Sequence, residues 1–141
     1  MTVMSREIKF RGYVEKIDDI GIDVPHEGHF VYGDLVHGNN FDCIVGGLIE
    51  ANEEYASIEW WQTLQQGAAE QYTGLKDKKG KEIYEGDIVQ FPILGKPHRE
   101  IVAWSDMDSA FIIGMMYLSR FQPKMEVLGN VHTNPELLEE K

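Results

Sequence analysis

The residues able to do chemistry in this chain are few and scattered. His26-Glu27-Gly28-His29 sets two imidazoles three apart, with His37 further on. A zinc-binding helix needs histidines at i and i+4 so that both rings leave one face, and Pro25 and Gly28 argue for a loop. No metal site is expected. Cys43, the single cysteine, falls in an apolar stretch, where a buried and inert thiol is the default. Gly33-Asp34 and Gly86-Asp87 are a turn-forming pair met twice. Capping of backbone N–H groups explains each aspartate without a carboxylate dyad. His98 and His132 have no partner nearby in sequence. A hydrolase assembled from scattered His and Asp residues is the third reading of the function. The chain offers no catalytic residue and no cofactor motif, so a non-enzymatic role is expected.

Two groups could act by binding. Lys76, Lys78, Lys79 and Lys81 crowd one turn beside Asp77 and Glu82, with Tyr72 and Tyr84 near enough to stack on bases. That is a nucleic-acid alternative. The net charge of −11 opposes it by repelling phosphate, and a solvated turn is the simpler account. Asp18, Asp19, Asp23, Glu50, Glu53, Glu54 and Glu59 would permit imitation of a nucleic acid, but plain acidic solubility explains them. Trp60 and Trp61 are adjacent in a β-favouring run, and adjacent side chains of a strand point to opposite faces. One indole enters the core. The other is covered by residues 48–55 or stands at a subunit or partner contact, where tryptophan often dominates binding. Glu59 shares a face with Trp61, so Trp61 is expected outward.

The elements that position these residues are short strands. Residues 71–91 read as two strands around Asp77-Lys78-Lys79-Gly80, with Gly80 left-handed, followed by a second reversal at Glu85-Gly86-Asp87. Residues 7–11 read as a first strand closed by Gly12, and 17–25 as loop. Residues 29–32 and 35–36 read as strands joined by a turn at Gly33-Asp34, and Gly38-Asn39-Asn40 is the next reversal. Residues 41–45 form a strand stopped by Gly46-Gly47, 48–55 a short helix, 57–63 a strand and 65–70 a turn of helix. Strands follow at 98–104, 110–118 and 125–128, and Asn134-Pro135-Glu136 carries the signals of a helix start. Short strands with frequent turns predict a mostly β fold: a small barrel-like domain of short antiparallel strands with a short C-terminal helix. One domain over 1–141 is expected, with possible halves 1–66 and 71–138 sharing one core.

With 43% apolar residues in 141, the chain can bury a core without a disulfide. The start, MTVMSREIKFRG, is charged and lacks the apolar stretch of a secretory signal. The longest apolar run, 110–118, holds a glycine and is far too short to span a bilayer. No membrane association is expected, and a cytoplasmic location is.

Several blocks carry a family resemblance. They are Arg6-Glu7-Ile8-Lys9-Phe10-Arg11-Gly12; Phe30-Val31-Tyr32-Gly33-Asp34-Leu35-Val36; the run from Gln71-Tyr72-Thr73-Gly74 through Glu85-Gly86-Asp87-Ile88-Val89; and Leu128-Gly129-Asn130-Val131-His132 with Asn134-Pro135-Glu136-Leu137-Leu138. The chain resembles the YopX family of phage and prophage proteins over nearly its whole length. Where that family usually has Pro-Glu-Thr-Val-Gly, this chain reads Gln66-Gly67-Ala68-Ala69-Glu70. The resemblance implies a mostly β fold, a phage or prophage origin and a place in the bacterial cytoplasm. It brings no catalytic residues. The function expected is an accessory protein that self-associates and binds a host or phage protein, with Trp61 and Trp60 as the candidate contact and nucleic acid as the alternative.

Overall fold

The computed structural model describes residues 7–16 and 24–139. Arg6, Asp18, Asp19, Asp23 and the loop expected over 17–25, Val24 and Pro25 excepted, lie outside the described residues. The chain divides into two compact units, and the division falls after Gln71, inside a strand.

The first unit spans Glu7–Gln71 and contains β1 (Phe10–Tyr13), β2 (Phe30–His37), β3 (Phe41–Ala51), β4 (Ala56–Gln65) and the start of β5 (Glu70–Lys76). The strands are antiparallel, in the order β4-β3-β2-β1-β5. Strand alternation explains β4 directly. Trp60, Gln62 and Leu64 point inward and are buried, while Trp61, Thr63 and Gln65 point out. Val24, Val31, Ile44, Trp60 and Leu64 form the core of this unit.

Three expectations fail here for one physical reason. Gly33-Asp34 does not turn the chain, Gly46-Gly47 does not stop β3, and 48–55 is no helix. Both strands continue through their glycines: the Trp60 indole lies across Gly33 and Gly46, while Gly47 sits at φ +67° against Glu59. A Cβ on Gly46 would overlap the Trp60 ring, and one on Gly33 would overlap the Val45 carbonyl and touch the same indole. The glycines are there for close approach, not for reversal. β3 then carries on past a register shift between Leu48 and Glu50 and turns at Asn52, whose Oδ1 accepts from the N–H groups of Glu54 and Tyr55. Gly12 likewise lies inside β1, against Leu64, instead of closing a strand. Residues 66–69 turn without forming a helix.

The second unit, from Tyr72 on, holds the rest of β5 with β6 (Glu82–Tyr84), β7 (Asp87–Ile93), β8 (Lys96–Ser105), β9 (Ala110–Ile113), β10 (Met116–Tyr117), α1 (Leu118–Phe121) and β11 (Glu126–Asn130). Its five-stranded sheet runs β10-β9-β8-β7-β11, all antiparallel. The core gathers Ile83, Val89, Phe91, Val102, Ile113, Leu118, Met125 and Val127. The hydrophobic run over 110–118, expected as one strand, bends back at Gly114 into the β9–β10 hairpin and then into α1.

The hairpin between β5 and β6 has the expected turn. Gly80 N donates to the Asp77 carbonyl at 3.0 Å, and Gly80 sits at φ +86°. A Cβ there meets nothing within 4 Å, so only backbone strain opposes a side chain. Gly80→Val is therefore expected to lower stability by about 1–2 kcal/mol in chemical denaturation. A loss too small to measure would show that the turn refolds freely.

Two features of the predicted fold need correction. In neither unit do the strands close into a barrel: β4 ends one sheet, and β10 and β11 end the other. The C-terminal helix is a single 3₁₀ turn at Pro135–Leu138. Asn134 does not cap it, because its Oδ1 accepts from Thr133 Oγ1 and Asn130 N instead. The repeated Gly-Asp pair also has two structures. Gly86 turns at φ +84° with Asp87 accepting from Tyr84 N, whereas Gly33 is mid-strand. No helix among the described residues is long and apolar enough to cross a membrane.

Candidate functional site

Of the two adjacent indoles, Trp60 is the one in the core, 7% exposed, and Trp61 stands outward at 37%. The β2–β3–β4 register surrounds Trp61 with further apolar side chains. Asp34, Val45 and Trp61 form one cross-strand row, and Val36, Cys43 and Thr63 form the next. Phe41 and Gln65 follow. Val36 and Phe41 are about half exposed, at 50% and 49%. The outer face of this sheet is thus a patch of Val36, Phe41, Val45 and Trp61 with Cys43 half-buried among them, edged by the carboxylates of Asp34 and Glu59. An apolar centre with a polar rim is the anatomy of a protein contact. Sequence reasoning missed all but Trp61, because ending β3 at Gly46 hid the register that brings them together.

The lysines are arranged differently from what the alternative requires. Lys79 Nζ donates to Glu126 Oε2 at 2.7 Å, and Lys78 Nζ is 3.9 Å from Glu126 Oε1. The Lys79 hydrogen bond holds the Glu126 carboxyl below its usual range, and Glu126 raises the Lys79 ammonium in return. Lys76 and Lys81 are exposed. Lys78 and Lys124 face an open hollow of about 440 Å³ walled by Pro92, Pro97 and Pro123 over Phe91. The stacking residues are withdrawn, however. Tyr72 and Tyr84 pair across β5 and β6 with ring centroids 5.4 Å apart and are 5% and 3% exposed, so no base can reach their faces.

The histidines make local bonds. His26 Nδ1 donates to Gly28 O and His29 Nδ1 to Val14 O, each at 2.9 Å. His37 Nδ1 donates to Asp42 Oδ1 at 3.1 Å, while the buried Asp42 also accepts from Gly67 N at 2.9 Å. The Gly67 N–H, with help from His37, keeps this carboxyl below its usual range against the opposing effect of burial. Asp42 thus ties the end of β2, through His37, to the turn that follows β4, through Gly67. Among the described residues no three His, Cys, Asp or Glu side chains gather closely enough to hold a metal.

With this geometry in view, the model of the family described as YopX protein matches residues 26–139. The chain belongs to the YopX family. The matched stretch takes in β2 through the last 3₁₀ turn, and so both the apolar outer face and the Asp77 hairpin of this YopX chain. A crystal structure of protein EF1440 from Enterococcus faecalis is similar to it at 22% identity. That match covers 95% of this chain and 99% of that one with a TM-score of 0.57. At that identity the likeness is one of fold. No curated protein matches the chain.

Proposed function

We propose that this YopX chain is a phage- or prophage-encoded accessory protein of the bacterial cytoplasm, acting without catalysis as a protein-binding module that self-associates. The observation that carries the reading is the outer face of β2, β3 and β4, where Val36, Phe41, Val45 and Trp61 stand together in partial contact with water. Exposed apolar area of this kind is costly to keep unless a partner covers it, and tryptophan is a frequent anchor of such contacts. Light scattering coupled to size exclusion is expected to find an oligomer for the wild type. Trp61→Ala should shift it to monomer with an unchanged circular dichroism spectrum. A monomeric wild type would remove self-association from the reading.

The nucleic-acid alternative loses its stacking residues to the core and one of its four lysines to Glu126. The expected result is no micromolar binding to duplex DNA at about 0.15 M salt, where the Debye length is about 8 Å. A salt-dependent mobility shift abolished by Lys78→Glu would reverse this.

A further inference from the structure

Beyond the row of Asp34, Val45 and Trp61, β3 loses β2 as a neighbour and, among the described residues, pairs with β4 alone. Residues 47–59 therefore leave the sheet as a two-stranded arm in which every residue but the half-buried Ser57 is exposed. A lone hairpin is only marginally stable in water. This one also carries apolar side chains in the open. Leu48 lies opposite Ile58, and Leu48, Ile49 and Tyr55 are 65%, 67% and 51% exposed. Beside them stand Glu50, Glu53, Glu54 and Glu59, with no basic residue in the arm. Like charges disfavour pairing of one arm with another. The complementary surface is apolar and basic.

The second unit has such a surface. Its open hollow of about 440 Å³ is walled by Pro92, Pro97 and Pro123 over Phe91, with Lys78 and Lys124 facing in. Proline rings have no rotamer freedom to lose on contact. Glu126 also lines the hollow, but it is bound by Lys79 at 2.7 Å and stands 3.9 Å from Lys78. Lys124 forms no ion pair among the described residues. We propose that the 47–59 arm of one copy docks in the Phe91 hollow of a second copy of this chain. Its glutamates meet Lys78 and Lys124, and its apolar side chains lie on the proline rings. This rests on the self-association reading above and extends its contact, since Trp61 stands at the foot of the arm, two residues past Glu59. Arm and hollow are different surfaces, so the contact is heterologous and either closes into a ring or runs on from copy to copy.

Charge reversal tests the pairing. Glu53→Lys with Glu54→Lys takes the net charge from −11 to −7, which relieves repulsion between whole chains. Self-association is nevertheless expected to weaken, by about tenfold or more, because the arm then meets lysines. Lys78→Glu with Lys124→Glu should weaken it too. An equimolar mixture of the two variants should associate again, since each arm then finds a hollow of opposite charge. Equilibrium sedimentation measures each constant, and hydrogen exchange should show the amides of 48–58 slowing as wild-type concentration rises. If the wild type is monomeric throughout, both this contact and the self-association reading fail. If it self-associates and the Glu53/Glu54 variant does so equally well or better, this contact alone is overturned. The same follows if the mixture does not recover, or if the arm amides exchange as fast in the oligomer as in dilute protein; something other than a second copy then covers the arm.

Discussion

Arg11→Ala is expected to cost the Glu7–Gln71 unit about 3–5 kcal/mol, with the midpoint of urea unfolding falling accordingly. Arg11 lies in β1 directly opposite Glu70 in β5, and its Nε donates to Glu70 Oε1 at 2.9 Å. Both side chains are largely shielded, at 5% and 14% exposure. The guanidinium carbon also sits 4.2 Å from the centre of the Phe30 ring, adding a cation–π contact. Alanine removes the cation from beside a mostly buried carboxylate, and the loss of that ion pair dominates the cost. The remaining exposure of Glu70 places the effect toward the lower end. Replacing both partners, Arg11→Met with Glu70→Leu, should recover most of the loss, since an apolar pair leaves no orphaned charge. A single-variant loss below about 1 kcal/mol would mean that water reaches Glu70 freely and the pair behaves as a surface one.

Asp77→Ala should be of similar size, about 3–5 kcal/mol, because one carboxylate satisfies three backbone donors. Its Oδ1 accepts from Lys79 N and Lys81 N and its Oδ2 from Val127 N, all at 2.9 Å. The first two shape the turn. The third pins the hairpin to β11, beside a backbone bond from Lys78 N to Met125 O. Burial pushes this carboxyl up, but the Val127, Lys81 and Lys79 N–H groups and the Lys81 charge together bring it below its usual range. The sign follows. A carboxyl depressed in the folded state contributes its full stability above the unfolded value, near 4, and loses it as pH falls through the lower folded value. Wild-type stability should therefore drop below about pH 4 more steeply than that of Asp77→Asn, which cannot titrate. Parallel pH profiles would overturn the assignment.

Much of the local chemistry was legible in the residues alone. Asp77, Gly80 and Gly86 dictate their turns through hydrogen-bonding side chains and positive φ, which neighbouring residues settle without help from the rest of the chain. Trp60 and Trp61 had to face opposite sides of any strand that held them. Glu59, two residues away on the same face, favoured Trp61 as the outward indole, and Trp61 is the more exposed of the two. Tertiary structure decided the rest. Gly33 and Gly46 carry the same local signal as a turn glycine, and only the Trp60 indole packed across β2 and β3 makes them strand residues. Once β3 continues through them, Val36, Phe41 and Val45 come into register with Trp61, and the helix read over 48–55 disappears. Tyr72 and Tyr84, apparently free beside a basic turn, pair with each other and are buried. The same holds for Asp77. Its turn bonds span four residues, but Val127, the donor that makes it a pin, lies fifty residues away. Interactions that close within a few residues are written in local sequence, whereas pairing across strands depends on which surfaces meet, and that is set only when the whole sheet packs.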